Sequence, residues 1–96
     1  MSLHLTDAPA ELEALQAGWA ERRGDADGRL RHAERAAELR PVSWEFARRA
    51  AEIRMARNEA AQARTVIAGF LSVSQSVSER EAAFDFWEKA SDAMRR

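Results

Sequence analysis

Residues that could carry out catalysis or bind a metal ion are few in this sequence. It contains sixteen Asp and Glu residues and two histidines, and it has no cysteine. His4 lies in a short polar segment, and His32 has Arg31 and Arg35 close by, with no second histidine at ligand spacing. A metal site needs several such ligands at fixed spacings. We therefore predict no metal site and no thiol chemistry, and we expect His32 to be a surface residue.

Two carboxylates one helical turn apart, Glu34 and Glu38, are a candidate pair for acid–base chemistry. They alternate with Arg31 and Arg35 at i, i+4 spacing, which is typical of a solvent-exposed helix face with ion pairs along it. The sequence contains no nucleophile motif, no phosphate-binding loop and no dinucleotide-binding fingerprint. We therefore expect a protein that is not an enzyme, that has no catalytic residues and that needs no cofactor.

The elements that position these side chains are predicted to be helices, most clearly around the stretch from Gly24 to Pro41. Glycine tolerates the left-handed conformation that ends many helices, so Gly24 predicts a helix end. The carboxylate of Asp25 can accept hydrogen bonds from the first N–H groups of the next helix. Because proline cannot continue a helix, that helix should end near Leu39. The apolar residues of this stretch recur on one helical stripe: Ala26, Leu30, Ala33 and Ala37.

The same pattern recurs 34 residues later, which indicates an internal repeat. Gly24 corresponds to Asn58, and asparagine is the next best residue after glycine at a helix C-terminus. A further shift by 34 places Ile53 on Trp87, so two whole units are followed by a closing half. Other pairs at this spacing are Leu12 with Phe46, Ala17 with Ala51, Trp19 with Ile53, Ala33 with Ile67 and Ala36 with Phe70.

These residues resemble the tetratricopeptide repeat (TPR) family. The resemblance covers roughly residues 10–70 as two units, with 78–96 as a terminal helix. In the first unit the match rests on Gly24-Asp25, Leu30, Ala33, Ala36 and Pro41, and in the second on Asn58-Glu59, Ala63, Ile67 and Phe70. The first helices lack the family's aromatic-Leu-Gly pattern, Arg29 stands where a small alanine is usual, and Gln75 replaces the second exit proline.

The resemblance implies an all-α fold, a right-handed TPR-like array of two helical hairpins plus a C-terminal capping helix. It also implies a protein-binding scaffold or adaptor, here as a segment of a bacterial protein. We expect a flexible N-terminal tail followed by a single domain. The expected ranges are 1–7 for the tail and 8–96 for the domain, with repeat one at 10–41, repeat two at 44–76 and the terminal helix at 78–96.

Local signals predict where individual helices begin and end. The first helix should run to about Arg23 and the fourth should end near Leu71. Ser43 is a good N-cap for the third helix. Ser78 should open the fifth helix, because Ser78-x-x-Glu81 forms a capping box.

Composition excludes few classes of partner. The net charge is −1, which gives no general argument for a nucleic acid or an anionic membrane. No apolar run approaches the roughly 18 residues of a membrane span, and the N-terminus lacks the pattern of a signal peptide. We therefore predict no membrane partner and a cytoplasmic location. The opening Met1-Ser2-Leu3 is compatible with an expression-vector remnant, in which case the chain would be a piece of a longer protein.

The middle of the chain, residues 22–64, is basic, with eleven arginines and seven acidic residues. It could be an ordinary arginine-rich surface or a basic groove. In the TPR family the first helices of the units line a concave groove, and that resemblance implies a groove here for a peptide or helix of another protein. The predicted groove residues are Arg22, Arg48, Glu52, Met55 and Phe86. Nucleic-acid binding is a less favoured alternative, which predicts affinity that falls steeply with salt.

The last predicted helix carries three large aromatic residues on two sides. Phe86 and Trp87 fall on an apolar arc, whereas Phe84 lies outside it. These residues could seal the end of the fourth helix. Alternatively, because exposed apolar patches usually mark interfaces, Trp19, Phe84 and Trp87 would form the interface of a homodimer.

Overall fold

The computed structural model describes residues 8–95, and these form five α-helices. Residues 1–7, where a tail was predicted, and Arg96 lie outside the described residues. No β-strand occurs within 8–95, so the prediction of an all-α fold is confirmed. The helices are α1 (Ala8–Arg22), α2 (Ala26–Leu39), α3 (Trp44–Ala56), α4 (Ala60–Val73) and α5 (Val77–Met94).

The five helices form a shallow layer in which each packs against its neighbours along the chain. Only three or four residues join consecutive helices, so neighbours run antiparallel. The Cα atoms extend over 48 × 35 × 15 Å, and the smallest extent is little more than one helix diameter of about 10–12 Å. α3 contacts α2, α4 and α5 and therefore lies at the centre. Both faces of so thin a layer are open to a partner.

The turns inside the two helical hairpins have the same backbone structure. Gly24 and Asn58, 34 positions apart, have φ angles of +75° and +62°. At each turn the next residue donates its N–H to the carbonyl five residues earlier, at 2.8 Å after Gly24 and 2.9 Å after Asn58. Both bounds of α4 also lie 34 residues after those of α2. The internal repeat predicted from the sequence is therefore present in the backbone.

This equivalence leads to a prediction about stability. Replacing Asn58 by glycine is expected to raise the free energy of unfolding by about 0.5–1 kcal/mol, because glycine adopts a left-handed conformation without the steric cost of a side chain. The opposite change at the equivalent turn, Gly24→Ala, should lower it by about 1 kcal/mol. Urea denaturation followed by circular dichroism measures both. The same sign of change for both variants would contradict the equivalence.

Two predicted helix caps are confirmed. The side chain of Asp25 accepts a hydrogen bond from the N–H of Gly28 at 2.9 Å, at the start of α2. The hydroxyl of Ser43 accepts one from the N–H of Phe46 at 3.2 Å, at the start of α3. Each cap satisfies an N–H group that has no partner inside the helix.

The predicted start of α5 is wrong by two residues. Ser76, not Ser78, is the N-cap, and its hydroxyl accepts a hydrogen bond from the N–H of Glu79 at 3.3 Å. α4 also continues to Val73, two residues beyond its predicted end. Two carbonyl groups at this end of α4 and in the connector accept hydrogen bonds from the guanidinium of Arg80. Because Arg80 satisfies them, α4 extends and the connector shortens.

The core between α3, α4 and α5 consists of two large side chains surrounded by alanines. Phe70 and Ile67 on α4 are the largest fully buried side chains of the described chain. The ring of Phe70 lies 5.2 Å from that of Trp44, which in turn meets the ring of Phe86 in an edge-on contact at 6.5 Å. Small residues let the helices approach closely. The alanines of this cluster are Ala47, Ala51, Ala63 and Ala83.

Candidate protein-binding site

A continuous apolar stripe on α1 is exposed to solvent. Leu12 and Leu15 are each 52% exposed and Trp19 is 49% exposed. Their i, i+3, i+7 spacing places them on one face of the helix. α1 packs against α2 through its opposite side, so its large side chains point away from the fold. The buried residues of α1 are all small: Ala10, Ala17 and Ala20.

The internal repeat shows how such a face is covered elsewhere in the molecule. Phe46 and Ile53 on α3 lie 34 positions after Leu12 and Trp19, and they are only 8% and 7% exposed. Both pack in clusters with residues of α2. α3 therefore buries against α2 the face that α1 leaves open. Within residues 8–95, no helix covers α1 as α2 covers α3.

A groove of about 530 Å³ lies between α1 and α3, beside the exposed stripe. We call it the α1–α3 groove. A Cβ atom added to Gly18 would have no heavy atom within 4 Å, so the groove is open above the backbone of α1. A side chain from a partner could therefore approach this backbone closely. The groove is lined by Leu15, Gly18, Trp19 and Arg22 of α1 and by Phe46 and Arg49 of α3, among others.

The rim of the α1–α3 groove carries one cation that is available to a partner. Arg49 already pairs with Glu45 at 2.8 Å, and Arg40 lies 4.0 Å from Glu11. Arg22 is exposed and has no ion pair with any residue in the described part of the chain. An unpaired guanidinium at the edge of an apolar groove favours a ligand that presents a carboxylate.

The structure brings one of the five predicted groove residues to this site. Arg22 lines the groove, whereas Arg48 and Glu52 lie elsewhere on α3 and pair with each other at 3.2 Å. Met55 and Phe86 are partly buried and pack against the core. The groove residues that the sequence analysis missed are Leu15, Gly18 and Arg49. The spacing of Leu12, Leu15 and Trp19 was their one signal, and it predicts an apolar face without saying whether that face is covered.

The three residues predicted for self-association occupy the two ends of the layer. Trp19 belongs to the exposed stripe on α1, and Phe84 on α5 is 51% exposed. Trp87 is partly buried, and the guanidinium of Arg64 lies over its ring at 4.3 Å. The three residues therefore cannot form one continuous patch, and an interface that uses them all must join two different faces.

α2 forms ion pairs with neighbouring helices and not along its own surface, as had been predicted. Arg35 pairs with Glu13 of α1 at 3.3 Å, and Glu34 pairs with Arg54 of α3 at 2.8 Å. His32 is more buried than expected, because its Nδ1 atom lies 2.6 Å from the same Glu13. These pairs hold the helices together and are not free to bind a ligand.

A network of charges joins α2, α3 and the turn before α4. Arg54 donates hydrogen bonds to Glu34 at 2.8 Å and to Glu59 at 2.9 Å. Arg57 donates to Glu59 and to Asp27, each at 3.1 Å. The hydrogen bond from Arg54 holds the pKa of Glu59 below its ordinary value, although partial desolvation opposes this, and Arg57 adds an attractive charge. The network explains much of the arginine content as structural.

A second groove, of about 450 Å³, lies between α2 and α4 with α3 as its floor. Its apolar lining consists mainly of small or buried residues, such as Ala47, Ala50 and Phe70. The ion pair between Glu34 and Arg54 lies along it. It therefore presents no large exposed side chain that could anchor a partner, in contrast to the stripe on α1.

Other classes of site find no support in residues 8–95. They contain no group of three or more His, Asp or Glu side chains placed to hold a metal ion. None of the five helices combines the length and the apolar character that crossing a bilayer requires. Comparison with protein-family models, curated proteins and solved structures found no match to this chain.

Proposed function

We propose that this chain is a protein–protein interaction module that binds a helix of a partner along α1, at the edge of the α1–α3 groove. The observation that carries the proposal is the exposed stripe of Leu12, Leu15 and Trp19, whose equivalents on α3 are buried against another helix. Exposed apolar patches on small domains usually mark interaction sites. The internal repeat indicates that a helix is the kind of element this face accepts.

The chemistry of the face defines the partner. An amphipathic helix with apolar residues at i, i+3 or i+4, and i+7 would cover the stripe. Gly18 leaves room for one of its side chains in the groove. A carboxylate on the same helix would pair with Arg22, whose guanidinium can hold it through two hydrogen bonds. We therefore propose a partner that is a protein with an acidic amphipathic helix.

Membership of the TPR family is also a proposal. It is supported by the 34-residue period of the hairpin turns and of the bounds of α2 and α4. A bacterial cytoplasmic scaffold or adaptor would follow from that membership. Nucleic-acid binding is less well supported, because six of the eleven central arginines make ion pairs with carboxylates at 3.8 Å or less. These are Arg29, Arg35, Arg48, Arg49, Arg54 and Arg57.

Site-specific photo-crosslinking tests the proposed site. A photoreactive residue at position 15, in place of the exposed Leu15, should capture a partner in cells that express the chain. The same residue in place of Ala61, an exposed residue of α4, should not. With the captured protein purified, Trp19→Ala should weaken its binding about 30-fold, which corresponds to about 2 kcal/mol for a central aromatic anchor.

Arg31→Ala provides the matched control for that affinity measurement. Arg31 is an exposed cation on α2 that makes no ion pair within residues 8–95, so its removal should leave the affinity unchanged. Equal effects of Trp19→Ala and Arg31→Ala would mean that α1 is not the binding face. So would crosslinking at position 61 but not at position 15.

A further inference from the structure

The other end of the helical layer also presents an uncovered apolar face. Phe84 of α5 is 51% exposed and borders an open groove of about 300 Å³ between α4 and α5. Leu71 and Trp87 line the same groove and are partly buried. We call this surface the α4–α5 face. It is large enough to receive a bulky side chain from outside the molecule.

The internal repeat indicates that this face, too, accepts another helix. Ala50 of α3 lies 34 positions before Phe84 and is fully buried. Val66 of α4 packs against the cluster that contains Ala50 and Ile53, so α4 covers this position in the first unit. In the described part of the chain, nothing covers Phe84 in the corresponding way. The two ends of the layer therefore each lack a neighbouring helix.

The α4–α5 face is acidic around its aromatic residue. Glu81 and Glu88 lie at i−3 and i+4 from Phe84, within about 60° of it around the helix. Both are exposed, as is Asp85, and none of the three makes an ion pair within residues 8–95. Lys89 is on the far side of α5, about 140° from Phe84. The face therefore combines an exposed aromatic ring with unpaired carboxylates.

The stripe on α1 has the complementary arrangement. Arg22 and Arg23 lie at i+3 and i+4 from Trp19, again within about 60° of the aromatic residue. Both are exposed and neither makes an ion pair in the described chain. One end of the molecule thus presents an aromatic residue flanked by free cations, and the other presents an aromatic residue flanked by free carboxylates. Each end repels a copy of itself and attracts the other.

We propose that the α1 stripe of one copy binds the α4–α5 face of a second copy, so that copies of this chain associate head to tail. This inference rests on the proposed function, and it identifies the acidic amphipathic helix of the partner as α5 of another copy. Trp19 would enter the α4–α5 groove, and Arg22 and Arg23 would pair with Glu81 and Glu88. A head-to-tail interface leaves a free face at each end, so association continues beyond the dimer.

Two variants that each disable one face test this arrangement by analytical ultracentrifugation. Trp19→Ser disables the α1 stripe and Phe84→Ser disables the α4–α5 face, and each should be monomeric alone. An equimolar mixture should form a dimer and nothing larger, because one intact face of each kind remains. The unaltered chain should show a mass that rises with concentration past twice that of the monomer.

Charge reversal provides a second test that does not depend on the aromatic residues. The double variants Arg22→Glu, Arg23→Glu and Glu81→Arg, Glu88→Arg should each fail to associate alone and should associate when mixed. High salt should weaken association of the unaltered chain, because the flanking charges are exposed. Circular dichroism equal to that of the unaltered chain will show that a monomeric variant is folded.

Several outcomes would overturn the inference. Self-association of Trp19→Ser or of Phe84→Ser alone would mean that like faces pair with each other. A mixture that remains monomeric while the unaltered chain associates would exclude the pairing of the two faces. An unaltered chain that is monomeric at millimolar concentration would exclude a second copy as the partner. In that case the proposed function survives if position 15 crosslinks to a different protein, and it fails if position 15 captures nothing.

Discussion

Replacing Phe70 by alanine is expected to lower the free energy of unfolding by about 3–5 kcal/mol. Phe70 is 2% exposed, and its ring lies 5.2 Å from that of Trp44. The cost of such a change includes the lost burial and the cavity that remains when neighbours cannot move into the space. Many of the neighbours in this cluster are alanines, which have no side-chain length with which to fill it. The cavity should therefore persist.

The size of this effect matters because small domains have little stability to lose. Domains of this kind unfold with about 5–15 kcal/mol, so Phe70→Ala should remove a large part of the total. Urea denaturation followed by circular dichroism measures the change at a protein concentration low enough to avoid association.

Phe84→Ala is the matched control for Phe70→Ala. It removes the same atoms from a residue that is 51% exposed, and it should cost no more than about 1 kcal/mol. Comparable losses for the two variants would mean that α5 packs with Phe84 in the core and would remove the basis for an exposed α4–α5 face.

The sequence is sufficient to predict the helices because the signals that end and begin them are local. Gly24 and Asn58 stop α1 and α3, and the caps at Asp25 and Ser43 need only residues within one turn. The start of α5 was mispredicted because two serines offer similar local caps. The choice between them depends on Arg80, which reaches back to the end of α4. Tertiary contacts of that kind cannot be found from a local pattern.

The candidate site was harder to predict than the fold for a related reason. Leu12 and Phe46 hold equivalent positions in the repeat, and periodicity assigns both to an apolar face. Whether such a face is buried depends on the presence of a neighbouring helix, which α3 has and α1 lacks. The arginines pose the same problem. The partner of Arg54 on α2, Glu34, is twenty residues away, so no i, i+4 rule identifies it.

Replacing Arg54 by alanine is expected to lower the free energy of unfolding by about 2 kcal/mol at neutral pH. Arg54 donates hydrogen bonds to Glu34 and Glu59, and all three side chains are less than 30% exposed. Removing it leaves two partly buried carboxylates without their main partner, and an unpaired charge in such a place is costly. Arg48→Ala is the control, because Arg48 and Glu52 form an exposed i, i+4 pair worth about 0.5 kcal/mol or less.

The pH dependence of this effect separates the ion pairs from simple packing. The hydrogen bond from Arg54 lowers the pKa of Glu59 from its ordinary value of about 4.3. A carboxylate with a lowered pKa in the folded state contributes stability that is present above the unfolded pKa and is lost as the pH falls through the folded pKa. The difference in stability between the unaltered chain and Arg54→Ala should therefore be largest near pH 7 and should shrink below about pH 4.

Arg54→Met distinguishes the charge of Arg54 from its apolar stem, because methionine keeps most of the hydrocarbon chain without the guanidinium. If the ion pairs dominate, Arg54→Met should lose nearly as much stability at pH 7 as Arg54→Ala and should recover it at low pH in the same way. A variant with methionine that matches the unaltered chain at pH 7 would contradict this, and it would mean that Arg54 stabilises the α2–α3 interface by packing. In that event the network would place no constraint on the angle between the two repeats, and the open ends of the layer would owe their orientation to the alanine-rich helix contacts alone.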